Sequence, residues 1–186
     1  GCAAPLNCMD SVVCMGAGFS AGMGIAKSFE KEGVTGKVVF GVVGDSTFFH
    51  SGRSGAAEIV YNKGRMIPCV LDNRITGMTG HQDNPGTGYS LQGDPTALLS
   101  VEKILTALGF APVLTVDPQD LKAMKAAVDQ AVAALDAGQQ PAIVTRRPCL
   151  LIKRDKFRKG MCRVKADKCR RCRSCLKVGC PAIALE

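Results

Sequence analysis

The chain has 186 residues, 46% of them hydrophobic and 22% charged, with a net charge of +8. That suffices for one well-buried core plus a small appendage, and it excludes a collagen-like, disordered or mucin-like polypeptide. The charge is uneven, with 10 Lys/Arg against 13 Asp/Glu in residues 1–145 and 14 against 3 in residues 146–186.

The elements follow in chain order. Val12-Val13 reads as the end of a strand, and Ala17 to Lys31 as a Gly/Ala-rich helix. Val38 to Val43 is a continuous apolar run ending in Gly44-Asp45, the pattern of a strand buried on both faces. Ser54 to Asn62 reads as a helix, and Met66 to Leu71 as a second buried strand ending in Asp72-Asn73. Asn73 to Pro95 has no apolar period and holds five Gly and two Pro in 23 residues. So long a loop inside a compact domain is usually functional. Thr96 to Leu108 reads as a helix and Val113 to Val116 as a third strand.

The next helix is predicted from Pro118 to about Ala137. Asp117 would be its N-cap, Pro118 its first residue, and Gly138 its stop. Its apolar stripe would be Leu121, Met124, Val128, Val132 and Leu135. Ala142 to Val144 is a fourth strand. Alternating strands and helices predict an α/β fold with a mostly parallel sheet and helices on both faces. Residues 1–150 would form that domain, 151–168 a basic linker, and 169–186 a small cysteine-rich module.

No run of about 18 apolar residues occurs, so no membrane helix is expected. No secretory signal is visible, and a cytoplasmic location is expected. Because the chain opens Gly1-Cys2 rather than with Met, it reads as a piece cut from something longer.

Five of the ten cysteines lie from Cys162 onward in the basic tail. Without a secretory context they argue for a reducing compartment and for metal or cluster ligation. Cys169, Cys172, Cys175 and Cys180-Pro181 are spaced C-x2-C-x2-C-x4-C-P. Thiolates two residues apart can wrap three corners of a cubane, and the bacterial [4Fe–4S] pattern differs only by one residue before the fourth Cys. Zinc competes for these thiols, although its usual signature is paired knuckles. The tail's Arg and Lys would offset the charge of a thiolate-bound cluster and attract acidic redox partners. Nucleic-acid binding is not expected, because a single aromatic residue, Phe157, stands among the basic ones of the tail.

Gly44-Asp45-Ser46 closes one strand and opens a helix, and Asp72-Asn73 closes the next strand. Side-chain oxygens at adjacent strand ends lie in the crevice where ligands of such sheets bind, and they can hold a Mg²⁺ completed by a phosphate compound. Plain capping is the alternative role for Asp45 and Asp72. A rival reading uses Gly16-Ala-Gly18-Phe-Ser-Ala21 as a dinucleotide fingerprint. It lacks a well-placed acidic residue downstream, and Gly22 and Gly24 suggest close helix packing instead.

Gly44-Asp45-Ser46 with Asp72-Asn73 resembles the thiamine-diphosphate motif, with Ser replacing its last Gly. Cys14-Met15-Gly16-Ala17, the run from Gly44 to Gly52 and the run from Leu71 to Gln82 resemble the large subunit of indolepyruvate ferredoxin oxidoreductase. The resemblance covers nearly the whole chain and implies a thiamine-diphosphate-binding fold followed by part of a ferredoxin-like module. It implies oxidative decarboxylation of an aryl-2-oxoacid, with the acyl group passing to coenzyme A and electrons to ferredoxin through [4Fe–4S] clusters.

Carried over by motif, Asp45 and Asn73 would ligate Mg²⁺, with Ile75 adding its backbone carbonyl. Gly44, Ser46, Thr47, Thr79 and Gly80 would surround the diphosphate. Met15 and Gly16 would meet the aminopyrimidine, and His50 would lie near the cofactor as the candidate catalytic residue. Cys169, Cys172, Cys175 and Cys180 would hold the cluster. His81 fits a structural role, and Glu58 fits the helix after Asp45 rather than an activating role. The resemblance also implies a pyrimidine-binding domain and a small subunit. No such domain fits into this chain, and the second half of the ferredoxin module is missing. The chain is therefore expected to act within an oligomer rather than as a complete enzyme. Two other readings compete. One is an iron–sulfur electron-transfer module with a nucleotide- or flavin-binding domain. The other is a non-redox thiamine decarboxylase with an incidental metal knuckle.

Overall fold

The computed structural model describes residues 8–152 and 164–178. They fall into two units, 13–152 and a second comprising 8–12 with 164–178. The larger unit runs α1 (Ala17–Lys31), β1 (Val39–Gly44), α2 (Asp45–Thr47), a π turn (Phe48–Gly52), α3 (Arg53–Tyr61), β2 (Met66–Asp72), α4 (Val101–Leu108), β3 (Val113–Val116), α5 (Leu121–Asp136) and β4 (Ala142–Arg146).

The four strands form one sheet in the order β1-β2-β4-β3, and every pairing is parallel. The α/β expectation is thereby met. Right-handed crossovers fix where the helices go. From β1 to β2 to β3 the chain advances across the sheet, which leaves α3 and α4 on one face. From β3 it steps back to β4, so α5 falls on the other face.

The pleat sorts the core accordingly. Met66, Val70, Ala142 and Val144 point into a cluster with Phe19, Met23, Phe48, Ile59, Leu105 and Phe110. Ile67, Cys69 and Ile143 point the other way, against Ala127, Ala131 and Leu135 of α5. Burial pushes the Cys69 thiol up to about 12. Only α5 covers the second face among the described residues. Phe40, Val42 and Leu71 on that face stay 41–48% exposed.

Several expected elements shift, each for a local reason. Val12 and Val13 form no strand and are largely exposed. Helix α4 starts at Val101 because the Ser100 hydroxyl accepts the Lys103 amide, while Thr96 and Leu99 donate their amides to Gly88 and Pro85 of the long loop. Helix α5 starts after Asp120, whose carboxylate accepts the Ala123 amide. Asp117 and Pro118 lie in a preceding turn, closed by Asp117 accepting the Gln119 amide. Of the expected stripe of α5, Met124, Val128, Val132 and Leu135 pack on the sheet, joined by Ala127 and Ala131, whereas Leu121 is 77% exposed. Gly138 does end the helix, at φ 78°.

Glycine decides how α1 meets the sheet. A Cβ on Gly18 would lie 2.3 Å from the Val42 carbonyl oxygen, and one on Gly41 would lie 2.7 Å from the Gly18 oxygen. Helix and strand therefore touch main chain to main chain. Gly22 abuts Met66 as expected, whereas Gly24 has nothing near it.

In the smaller unit, Ala166–Lys168 and Ser174–Val178 are 3₁₀ turns. Cys180 and residues 153–163 of the expected linker lie outside the described residues.

Candidate functional site

The site is built on the carboxyl ends of β1 and β2. These strands pair in register from Val39↔Met66 to Gly44↔Leu71, so Asp45 and Asp72 follow on neighbouring strand ends. Gly44 is extended, at φ −74° and ψ 163°, and the helix begins at the next residue. That turn buries the Asp45 side chain, leaving it 3% exposed.

Asp45 Oδ2 accepts a hydrogen bond from Asn84 Nδ2 at 3.1 Å. Burial pushes its carboxyl above the ordinary range and the nearby Asp72 charge adds to this, while the Asn84 amide and the Ser46 backbone amide oppose it. A buried carboxylate with one neutral side-chain donor and an anionic neighbour calls for a cation.

Asp72 is supplied differently. Its Oδ2 lies 2.7 Å from Arg146 Nε, and its Oδ1 accepts the Arg74 amide at 3.2 Å and lies 3.5 Å from Arg74 Nε. Arg146 also pairs with Glu102, which in turn accepts from Ser100 (2.6 Å) and Thr115 (3.3 Å). Asp72 therefore anchors the strand ends, with both carboxylate oxygens engaged by arginine. The Asn73 side-chain oxygen accepts the Ile75 amide at 3.1 Å, and its carbonyl accepts the Cys149 amide at 2.9 Å. Arg74 sits at φ 61°, so the chain reverses sharply here and leaves Ile75 buried.

The turn before α1 reaches the same place. Gly16 sits at φ 92°, and a Cβ there would lie 2.2 Å from Ser51 Oγ and 3.8 Å from the Thr47 methyl. Gly16 and Thr47, two of the expected cofactor-binding residues, are thus adjacent. Met15 beside them is 69% exposed, Thr47 is buried and Ser46 half-buried. The dinucleotide alternative needs a strand entering this turn, and residues 8–13 form none.

His50 is exposed in the π turn that follows Asp45. Such turns recur at functional sites. Thr79 and Gly80 lie in the glycine-rich loop, where the Thr79 hydroxyl donates to Gln82 at 2.6 Å and Gly80 sits at φ 116°. Gly80 donates its amide to Gly77, also within the loop. His81 is exposed and donates its amide to Thr76, and Glu58 lies on α3, paired with Asn62.

Asn84 was missed by sequence reasoning. It is 7% exposed and reaches 39 residues back to Asp45. Its Asn-Pro-Gly context signals a turn, but nothing local announces a partner so far away.

Cys169, Cys172 and Cys175 are exposed, and Cys172 lies 3.4 Å from the Ser174 hydroxyl, which draws its thiol below the ordinary range. Among the described residues no three His, Cys, Asp or Glu side chains converge as a metal-holding group.

A parallel α/β sheet with a buried acid at one strand end, a glycine turn beside it and a long glycine-rich loop above defines a cofactor-binding domain of the doubly wound class. Residues 2–145 match the family described as thiamine pyrophosphate enzyme, C-terminal TPP binding domain, and the chain belongs to that family. It is 36% identical, over 96% of its length, to "Indolepyruvate oxidoreductase subunit IorA" of Thermococcus kodakarensis, and 32% identical over 98% to the protein of that name from Archaeoglobus fulgidus. It spans 28–29% of the length of those relatives. A solved structure, a 2-oxoglutarate:ferredoxin oxidoreductase from Magnetococcus marinus, shares the fold with a TM-score of 0.57 at 16% identity. That match covers 72% of this chain and 45% of that one. A thiamin diphosphate-dependent enzyme from Mycobacterium smegmatis gives a TM-score of 0.52 at 22% identity, covering 73% and 22%.

Proposed function

We propose that this chain is the cofactor-holding part of a thiamine-diphosphate-dependent 2-oxoacid:ferredoxin oxidoreductase acting on an aryl-pyruvate of the indolepyruvate kind. The observation that carries the reading is Asp45, a buried carboxylate at a strand end with a single neutral side-chain donor. Its donor set suits Mg²⁺, which takes one or two carboxylate or carbonyl oxygens and fills its shell from a diphosphate and water. Asp45, Asn73 and the Ile75 carbonyl would hold the ion. Gly44, Ser46, Thr47, Thr79 and Gly80 would donate to or pack on the diphosphate, and Met15 and Gly16 would bound the aminopyrimidine.

When bound, thiamine diphosphate supplies the carbon nucleophile and electron sink for decarboxylation. The chain's own groups bind and orient. Asp45 contributes the negative charge that holds the ion. Gly16 lets the main chain approach where a side chain would collide with Ser51. The Asp72–Arg146–Glu102 chain fixes the strand ends beneath. His50, exposed beside this floor, would contact the substrate side.

In this reading Cys169, Cys172, Cys175 and Cys180 hold a [4Fe–4S] cluster that carries electrons toward ferredoxin. The acyl group leaves on coenzyme A, and a small subunit and a pyrimidine-binding domain or chain complete the assembly.

Calorimetric titration with thiamine diphosphate and Mg²⁺ tests the core of the reading. Asp45→Ala abolishes Mg²⁺-dependent binding. Unchanged affinity in that variant overturns the assignment.

A further inference from the structure

The glycine-rich loop between β2 and α4 meets the site at one short segment. Asn84 Nδ2 donates to Asp45 Oδ2 at 3.1 Å, and Asn84 Oδ1 accepts the Gly86 amide at 2.8 Å. The Asn84 carbonyl accepts both the amide and the hydroxyl of Thr87, each at 2.9 Å. Gly86 lies flat against the π turn, where a Cβ would come within 2.8 Å of the Phe49 ring. Arg74 Nη1 donates to the Gly86 carbonyl at 2.8 Å from the β2 side.

Segment 84–86 is therefore packed between the two strand ends, and one buried amide makes two connections of different kinds. Its oxygen shapes the loop's own turn. Its nitrogen holds the carboxylate that the proposed ion needs. An unheld carboxylate would be free to rotate. Held at one oxygen by Asn84, beside the backbone amide of Ser46, it is fixed in orientation.

We infer that Asn84 is a positioning residue: it orients the Asp45 carboxylate for the divalent ion and ties closure of the glycine-rich loop to occupancy of that ion. The inference rests on the Asp45 ion site proposed above. A partner behind a metal ligand commonly changes metal affinity by about 10- to 100-fold when removed.

The two connections are separable by mutation. Asn84→Ser keeps a side-chain acceptor for the Gly86 amide, as serine does in turns of this kind, but is too short to reach Asp45. Thr87→Val removes a bond within the same turn and leaves the Asp45 contact intact.

The test titrates the whole chain with Mn²⁺ and reads the free ion by electron paramagnetic resonance. In parallel, hydrogen exchange over residues 83–99 is followed by mass spectrometry with and without Mg²⁺. Wild type binds Mn²⁺, and its loop exchanges more slowly with Mg²⁺ present. Asn84→Ser loses about tenfold or more in affinity and loses the slowing, whereas Thr87→Val retains both. Wild-type affinity in Asn84→Ser, or equal losses in the two variants, overturns the inference while leaving the ion site standing. Absence of Mn²⁺ binding by the wild-type chain overturns both.

Discussion

Glu102 shows how one residue ties helix to sheet at the rim. Burial works against its charge, but the Ser100 hydroxyl, its own backbone amide and the Arg146 guanidinium together outweigh that and hold the carboxyl below its ordinary value of 4.5. A carboxyl lowered in the folded state stabilises the fold above its unfolded value, and that stabilisation fades as pH falls through the folded one. Glu102→Gln is accordingly expected to cost about 1 kcal/mol near pH 7, after allowance for solvent screening of a part-exposed pair. The gap should begin to narrow as pH falls past about 4.5 and close only below the lowered folded value, where both proteins are neutral at this position. Urea denaturation at several pH values measures it, and a gap that persists unchanged in acid would remove the ionic account. Asp45 itself was legible in the sequence because an apolar run ending in Gly-Asp places an acid at a strand end. Asp72 was harder to read. Its neighbours Arg146 and Arg74 come from a later strand and from its own reversed turn, and only the folded chain brings them onto it.

Among the elements, α1 offers the sharpest contrast. Gly18 and Gly24 lie on the same helix, and sequence pattern treats them alike. A Cβ at 18 would run into the Val42 carbonyl, whereas one at 24 would meet nothing within 4 Å. Gly18→Ala is therefore expected to destabilise by about 1–3 kcal/mol through forced separation of helix and strand. Gly24→Ala should stabilise by about 0.5–1 kcal/mol by restoring helix propensity. The midpoints of urea unfolding decide both signs, and a neutral Gly18→Ala would mean that α1 stands off the sheet. The four strands were readable because their apolar runs are continuous, although β1 is buried on one face only. Two of the helix starts were not, while α1 begins at Ala17 as expected. Ser100 and Asp120 displace the start of α4 and α5 by capping later than propensity suggests. The helix opening directly after Gly44 was readable from Gly44-Asp45-Ser46, but the π turn at Phe48–Gly52 within that course was not.

At the scale of the molecule, the sheet is dressed unequally. Helices α1, α3 and α4 line one face. On the other, β1 is an edge strand whose Phe40 and Val42 stand 41% and 48% exposed, beside Leu71 at 47%. An apolar edge of this kind is a template for strand pairing. The isolated chain is expected to self-associate with rising concentration in sedimentation velocity, and Val42→Lys should reduce that association. Monomeric behaviour of the wild type across the range would show the edge to be inert. Which face carries α5 follows from chain order and crossover handedness. That covering is incomplete does not follow from sequence, because Phe40 and Val42 read there as ordinary core positions.

The seam between α1 and β1 has a last implication. Where Gly18 meets Val42, peptide groups abut with no side chain between them, so at that point there is nothing to trim, lengthen or swap. Mutation can reshape almost every other boundary in the domain by degrees. Here it can only prise two pieces of polypeptide apart, and the Gly16 turn would be carried away from the Gly44 end of the strand with them.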